Sequence, residues 1–189
     1  GSVHLSSMLK FGFKGNIYPV NRNGTDVLGL KAYKSLQEIP GPVDFAFVQV
    51  PAKASVQVIK DCAAKGIKLA TMFTAGFGES ENEWGKDLEE ELLNAARQSG
   101  IRLLGPNCMG LYCPAVRLTF GPEFPAESGP VGVICQSGGN AHQLIYSGKQ
   151  RGLLFSKVVS YGNAVDINET ELLEYFTQDP ETKLIIAYI

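Results

Sequence analysis

GPNCMGLYCP, residues 105–114, and VICQSGGNAHQ, residues 133–143, carry the reading of this chain. In each, apolar residues run into a group of Gly, Asn, Ser and Cys. That is the pattern of a buried strand opening into a ligand-facing turn. In the second stretch Ser137, Gly138 and Gly139 follow an expected strand at 131–135 and lead into an expected helix at 139–151. Bare backbone N–H groups and a hydroxyl at a helix N-terminus favour an anion, above all a phosphate.

Outward from these turns, strand and helix patterns alternate. A helix is expected over 4–10 and a short strand over 16–20. Residues 44–50 form an almost continuous apolar strand closed by Pro51, and 52–65 has helical periodicity that stops at Gly66, an expected cap position. A strand at 68–73, a helix at 82–98 with its glutamates on the polar side, and a strand at 101–104 follow. Apolar strands buried on both faces, with helices between them, predict an α/β fold with a doubly wound parallel sheet. Ligands of such sheets bind beyond the carboxyl ends of the strands. The turns 21–24, Pro51, 74–79 and 105–110 all fall at those ends. Residues 120–130, with three prolines and two glycines, predict a boundary between a first domain, 1–125, and a second series of strands and helices over 129–189. That series has too few elements for a finished domain, and no strand precedes the first helix. Both ends therefore read as cut, an unusually small complete protein being the alternative.

With 189 residues, 44% of them hydrophobic, the chain can bury a substantial core. A net charge of −2 without a basic block argues against nucleic acid as a partner. No apolar run approaches the length of a membrane span and no signal-peptide pattern opens the chain. The four cysteines form no CxxC pair and have two histidines for company, which suggests neither a metal site nor a disulfide framework. The expectation is a reduced, soluble, cytoplasmic protein.

Seven segments, in order and spacing, resemble one family: GFKGNIYPVN (12–21), VLGLKAYKSLQEIPGPVDFAFVQVPA (27–52), TAGFGE (74–79), GPNCMG (105–110), CQSGG (135–139), FSKVVSYGNAVDIN (155–168) and DPETKLIIAYI (179–189). They are similar to the CoA-binding and following domain of NDP-forming acyl-CoA synthetases, the superfamily that includes the succinyl-CoA synthetase alpha subunit. The resemblance implies a Rossmann-like CoA-binding domain over 1–125, its first strand and Gly-rich turn missing, and part of a flavodoxin-like domain over 129–189. Gly1-Ser2 then reads as the tail of that turn, or as a cloning remnant. The whole enzyme would interconvert acyl-CoA, phosphate and NDP with free acid, CoA and NTP through an acyl phosphate and a phosphorylated histidine. That histidine is expected beyond Ile189, so no catalytic residue is expected in this chain. ATP or another NTP/NDP, with Mg, would sit on an ATP-grasp domain or beta subunit, and the assembly would be an oligomer.

The same resemblance places CoA at Asn21, Arg22, Pro51, Thr74, Gly76, Glu79, Asn107 and Cys108. The N–H groups of 74–79 and the Thr74 hydroxyl would hold a diphosphate or the pantetheine arm; the alternative is an ordinary Gly-rich connection with Glu79 charging a helix start. Relatives commonly carry Asn-Pro-Lys where this chain has Asn21-Arg22-Asn23, so either Arg22 supplies the charge one position earlier or this is an exposed turn. Asn107 either fixes its own turn or contacts ligand, and Cys108 reads as a small buried filler rather than a nucleophile. Ser137, Gly138 and Gly139 resemble the phosphate-binding turn of the family, with Cys135 replacing its first Ser. His142 reads as structural, His4 has no supporting neighbour, and the acidic run 79–91 reads as a solvated helix face. Two rivals stay open: a CoA-binding regulatory module or acetyltransferase portion, and a nicotinamide-dependent dehydrogenase. The latter needs an acid after the second strand, where Asn21 and Arg22 stand.

Overall fold

The computed structural model describes residues 2–81 and 83–189; the expectations for Gly1 and for a helix start at Asn82 lie outside the described residues. A first helix, α1 (Ser2–Phe11), precedes a parallel three-stranded sheet of β1 (Phe45–Val48), β2 (Leu69–Met72) and β3 (Arg102–Leu104), in that order. The crossovers are α2 (Ala52–Ala64) and α3 (Glu83–Ser99). Each helix buries one stripe at helical spacing: Val56, Ile59 and Cys62 on α2, Leu92, Ala95 and Ala96 on α3, packed on Ala70, Met72 and Leu103 of the sheet.

The second sheet has the order β4-β6-β5-β7, from β4 (Gly110–Tyr112), β5 (Val131–Cys135), β6 (Phe155–Ser160) and β7 (Leu184–Tyr188). Helix α4 (Gly138–Gln150) connects β5 to β6 and α5 (Glu169–Gln178) connects β6 to β7. All pairings are parallel except β4 with β6. None of the described helices is long and apolar enough to cross a membrane.

Two expectations need correction. Residues 16–20 form no strand; a single parallel bridge joins Val20 to Tyr33. Pro19 has no N–H to give a ladder, so its carbonyl, which accepts from the Tyr33 N–H, is all it offers. The turn expected over 105–110 runs directly into β4, a strand absent from the reading. Three residues starting with a glycine are too few to show a period. What holds β4 is tertiary: Tyr112 is fully buried, and its hydroxyl donates to the Pro125 carbonyl at 2.6 Å.

The two sheets are stitched along β3. The loop after β6 lies beside β3, where Asn163, Val165 and Ile167 N–H groups donate to the Pro106, Gly105 and Leu103 carbonyls. In return the Leu103 N–H donates to Asp166 at 2.8 Å, and Arg102 pairs with Asp166 at 2.9 Å and with Glu171 at 2.8 Å. Gly162, at φ 61°, permits this approach, because a Cβ there would strike the Pro106 and Asn107 carbonyl oxygens.

Candidate functional site

Three of the expected turns meet at the carboxyl ends of β1, β2 and β3. The Thr74 hydroxyl donates to the Val50 carbonyl at 2.7 Å, fastening the exit of β2 to the turn at Pro51. The Asn107 N–H donates to the Thr74 carbonyl at 2.9 Å, fastening the exit of β3 to that of β2. Pro51, Thr74, Gly76, Asn107 and Cys108 are thereby gathered. Asn21 and Arg22 are not. The Asn21 side chain accepts from the Asn23 and Thr25 N–H groups and donates to the Thr25 carbonyl, closing its own turn. Arg22 is exposed, and no hydrogen bond among the described residues ties this turn to the Thr74 loop. Cys108 is buried, its sulfur 3.5 Å from the Met72 and Leu104 carbonyls. Burial pushes its thiol up to about 12, so at neutral pH it is a filler and no nucleophile.

The N–H groups of the 76–78 loop, expected to face a ligand, already hold carboxylates. Gly76 N–H donates to Glu79 at 2.6 Å, Phe77 N–H to both Glu79 oxygens at 3.3 Å, and Gly78 N–H to Glu89 at 3.2 Å. The Asn163 amide, reaching across from the second sheet, donates to both Glu79 and Glu89, the latter at 2.8 Å. Burial pushes the Glu79 carboxyl upward. The hydrogen bonds from Asn163, Gly76 and Phe77 outweigh that and hold it below its ordinary value. The acidic run is therefore more than a solvated face. A cleft lined by Gly78, Glu79, Lys86, Glu89 and Asn163 opens at this point. Consecutive N–H groups converging on acidic oxygens are the chemistry a diphosphate requires, so these residues fit CoA on condition that Glu79 gives way.

The second turn is arranged differently. Ser137 caps α4, its hydroxyl accepting the Asn140 N–H at 3.3 Å, and the helix starts one residue earlier than expected. The N–H groups of Gly138 and Gly139 are without a partner among the described residues. A Cβ on Gly138 would strike the Met109 side chain. The Met109 N–H in turn donates to the Ser160 hydroxyl at 3.2 Å. Residues 107–109 thus touch both places: Asn107 borders the strand-end cluster, and Met109 lies against the N-terminus of α4.

Glu89, Asn163 and Asp166 escaped the sequence reading. Asn163 and Asp166 lie in the 155–168 segment but nothing there marks their partners, which lie far away in the chain, and the periodicity of α3 marks Glu89 only as one acid among several. His142 packs on Phe124, ring centroids 5.1 Å apart, as a structural residue would.

The model of the CoA binding domain matches residues 4–114, more than half of the chain. The chain belongs to the CoA-binding domain family. Residues 128–189 match the succinyl-CoA ligase like flavodoxin domain, and this CoA-binding chain thus carries the domain pair of the NDP-forming acyl-CoA synthetase superfamily that its motifs resemble. It is similar to the acetate–CoA ligase (ADP-forming) I subunit alpha of Pyrococcus furiosus, 40% identical over 100% of this chain and 42% of that one. It is also similar to the acetate–CoA ligase (ADP-forming) of Methanocaldococcus jannaschii, 38% identical over 94% of this chain and 25% of that one. Among solved structures, the Ca. Korarchaeum cryptofilum dinucleotide forming acetyl-coenzyme A synthetase 1 in complex with phosphate and ADP superposes with a TM-score of 0.91 at 39% identity, covering 100% of this chain and 40% of that one. The chain spans less than half the length of these relatives.

Proposed function

We propose that this chain is the CoA-binding part of an ADP-forming acid–CoA ligase, and that it brings the thioester end of CoA beside a phosphate site. The observation that carries this is the 107–109 turn, which borders the strand-end cluster on one side and the open N–H groups of α4 on the other. In this reading CoA lies along Pro51, Thr74, Gly76 and Asn107, its diphosphate exchanging with Glu79 on the 76–78 N–H groups, and Arg22 has no direct part. CoA supplies the thiol that the acyl group joins or leaves. Gly138 and Gly139 N–H groups hold phosphate oxygens where one attacks the acyl carbonyl; the new C–O bond replaces the C–S bond and the thiolate departs. A helix N-terminus contributes about 0.3–1 kcal/mol to holding such charge when exposed, and up to ~2 kcal/mol when partly buried, which suits a transient phosphate. The phosphohistidine and the ATP-grasp portion, with Mg and ATP, belong to the rest of the assembly, which works in the cytoplasm as an oligomer.

The test is turnover by the full-length protein with its ATP-grasp portion. The expected result is acyl-CoA formation from acetate that depends on both ATP and CoA and yields ADP and phosphate. CoA binding without turnover or histidine phosphorylation would instead make it a regulatory module. NADH binding without CoA binding would overturn the reading altogether.

A further inference from the structure

His4 stands among none of the residues placed at the site so far, yet it occupies the same edge of the sheet. The residue is only 7% exposed, with its ring centroid 4.7 Å from that of Phe47 and, edge-on, 4.9 Å from that of Phe73. Phe73 directly follows β2, and Gln49, whose amide nitrogen lies 2.7 Å from His4 Nδ1, directly follows β1. An amide nitrogen only donates, so Nδ1 accepts. Burial lowers the ring's pKa, so the ring is neutral and its single proton sits on Nε2. That N–H is buried and has no hydrogen-bond partner among the described residues. The face of Phe73 is at best a weak acceptor, and leaving a buried donor unmade costs about 1–3 kcal/mol. Phe73, which packs against the ring, is itself 40% exposed, so its displacement would open His4 to solvent and ligand.

We propose that His4 is a binding residue of this site, its Nε2–H donating to an amide carbonyl oxygen of the pantetheine arm of CoA. The inference rests on the CoA reading given above. The aromatic walls choose among the acceptors CoA carries. A phosphate would lose its water between two phenyl rings and receive one neutral donor in return, whereas an amide carbonyl needs a single donor and tolerates apolar flanks. Gln49 acts as a positioning residue, fixing the tautomer that presents the proton.

Calorimetry on the full-length protein compares CoA with adenosine 3′,5′-bisphosphate, which lacks the pantetheine arm. His4→Phe keeps the aromatic volume and removes the donor. It is expected to weaken CoA binding about three- to tenfold and leave the bisphosphate unchanged. His4→Gln, which offers an N–H again, should recover most of the loss. A His4→Phe protein that binds CoA like wild type, or loses both ligands equally, overturns the proposal. Should His4→Phe not fold, NMR on the wild type decides: the Nε2–H resonance moves downfield with CoA but not with the bisphosphate, and no movement overturns the assignment. Wild-type protein that fails to bind CoA would count against the CoA reading itself, a different result from any of these.

Discussion

The loop at 76–78 and the turn at 137–139 are built from the same material, an apolar strand running into glycines before a helix. In the first, every N–H from Gly76 to Gly78 is taken by Glu79 or Glu89, with Asn163 bonding both acids from outside. In the second, Ser137 satisfies the Asn140 N–H, and the N–H groups of Gly138 and Gly139 find no partner among the described residues. Glycine after a strand announces exposed backbone donors. Whether a ligand or the protein itself fills them is decided by side chains that arrive from elsewhere in the fold.

The largest test of that contrast lies at Gly138 and Gly139. Gly138→Val is expected to destabilise the protein by about 3 kcal/mol, since its Cβ runs into Met109. At Gly139 the nearest atom to an added Cβ is the Ser137 hydroxyl at 3.9 Å, so Gly139→Ala should leave stability within about 0.5 kcal/mol. If the proposed phosphate site is at these N–H groups, phosphohistidine yield per folded molecule should nevertheless fall several-fold in Gly139→Ala, because the methyl would stand in the way of the phosphate. Unfolding curves and yields on both variants separate packing from binding, and an unchanged yield would mean that the open N–H groups serve no ligand.

Next in size is the joint that brings Asn163 to the acids. Asp166→Ala strips the partner from the buried Leu103 N–H and is expected to cost about 1–2 kcal/mol. Arg102→Ala, at a side chain 47% exposed, should cost under about 1 kcal/mol. Denaturant unfolding of the two variants measures the difference; equal losses would place the strength of the joint in the surface ion pair instead.

The smallest effect concerns Glu79. Glu79→Gln removes a competing charge from the loop and is expected to tighten CoA binding about three- to tenfold, read by titration; weaker binding would make Glu79 a direct ligand contact. The folded-state pKa of Glu79 lies below its ordinary value, so its stabilising contribution is complete above that ordinary value. It is lost as pH falls through the lowered one. Thermal unfolding followed across the acidic range should show a drop that Glu79→Gln flattens.

The layered α/β fold was readable from the apolar runs of β1, β2 and β5, a continuous signal even though only β5 is buried along its whole length and β1 is largely half-buried. Helices α2 and α3 were readable from one-sided stripes, and Gly66 from its cap position. The 16–20 strand was overread because apolar residues around Pro19 imitate a strand that its backbone cannot complete. β4 was invisible because three residues carry no period. At the site, Thr74, Gly76, Asn107 and Ser137 were marked by local punctuation. The neighbours of His4 and the partners of Glu79 were not, because Gln49, Phe73, Glu89 and Asn163 meet them only through tertiary structure.

The placement of β4 also bears on the order in which the molecule can assemble. Residues 110–112 leave the ribosome well before 155–160, the strand against which they must lie. Until β6 exists, Tyr112 has no wall to close over it and the free edge of β3 has no 163–167 loop beside it. The N-terminal sheet can form early from its own βαβ units. The edge that carries the candidate site becomes complete only after the C-terminal sheet has folded, a dependence on distant contacts of the kind that slows folding.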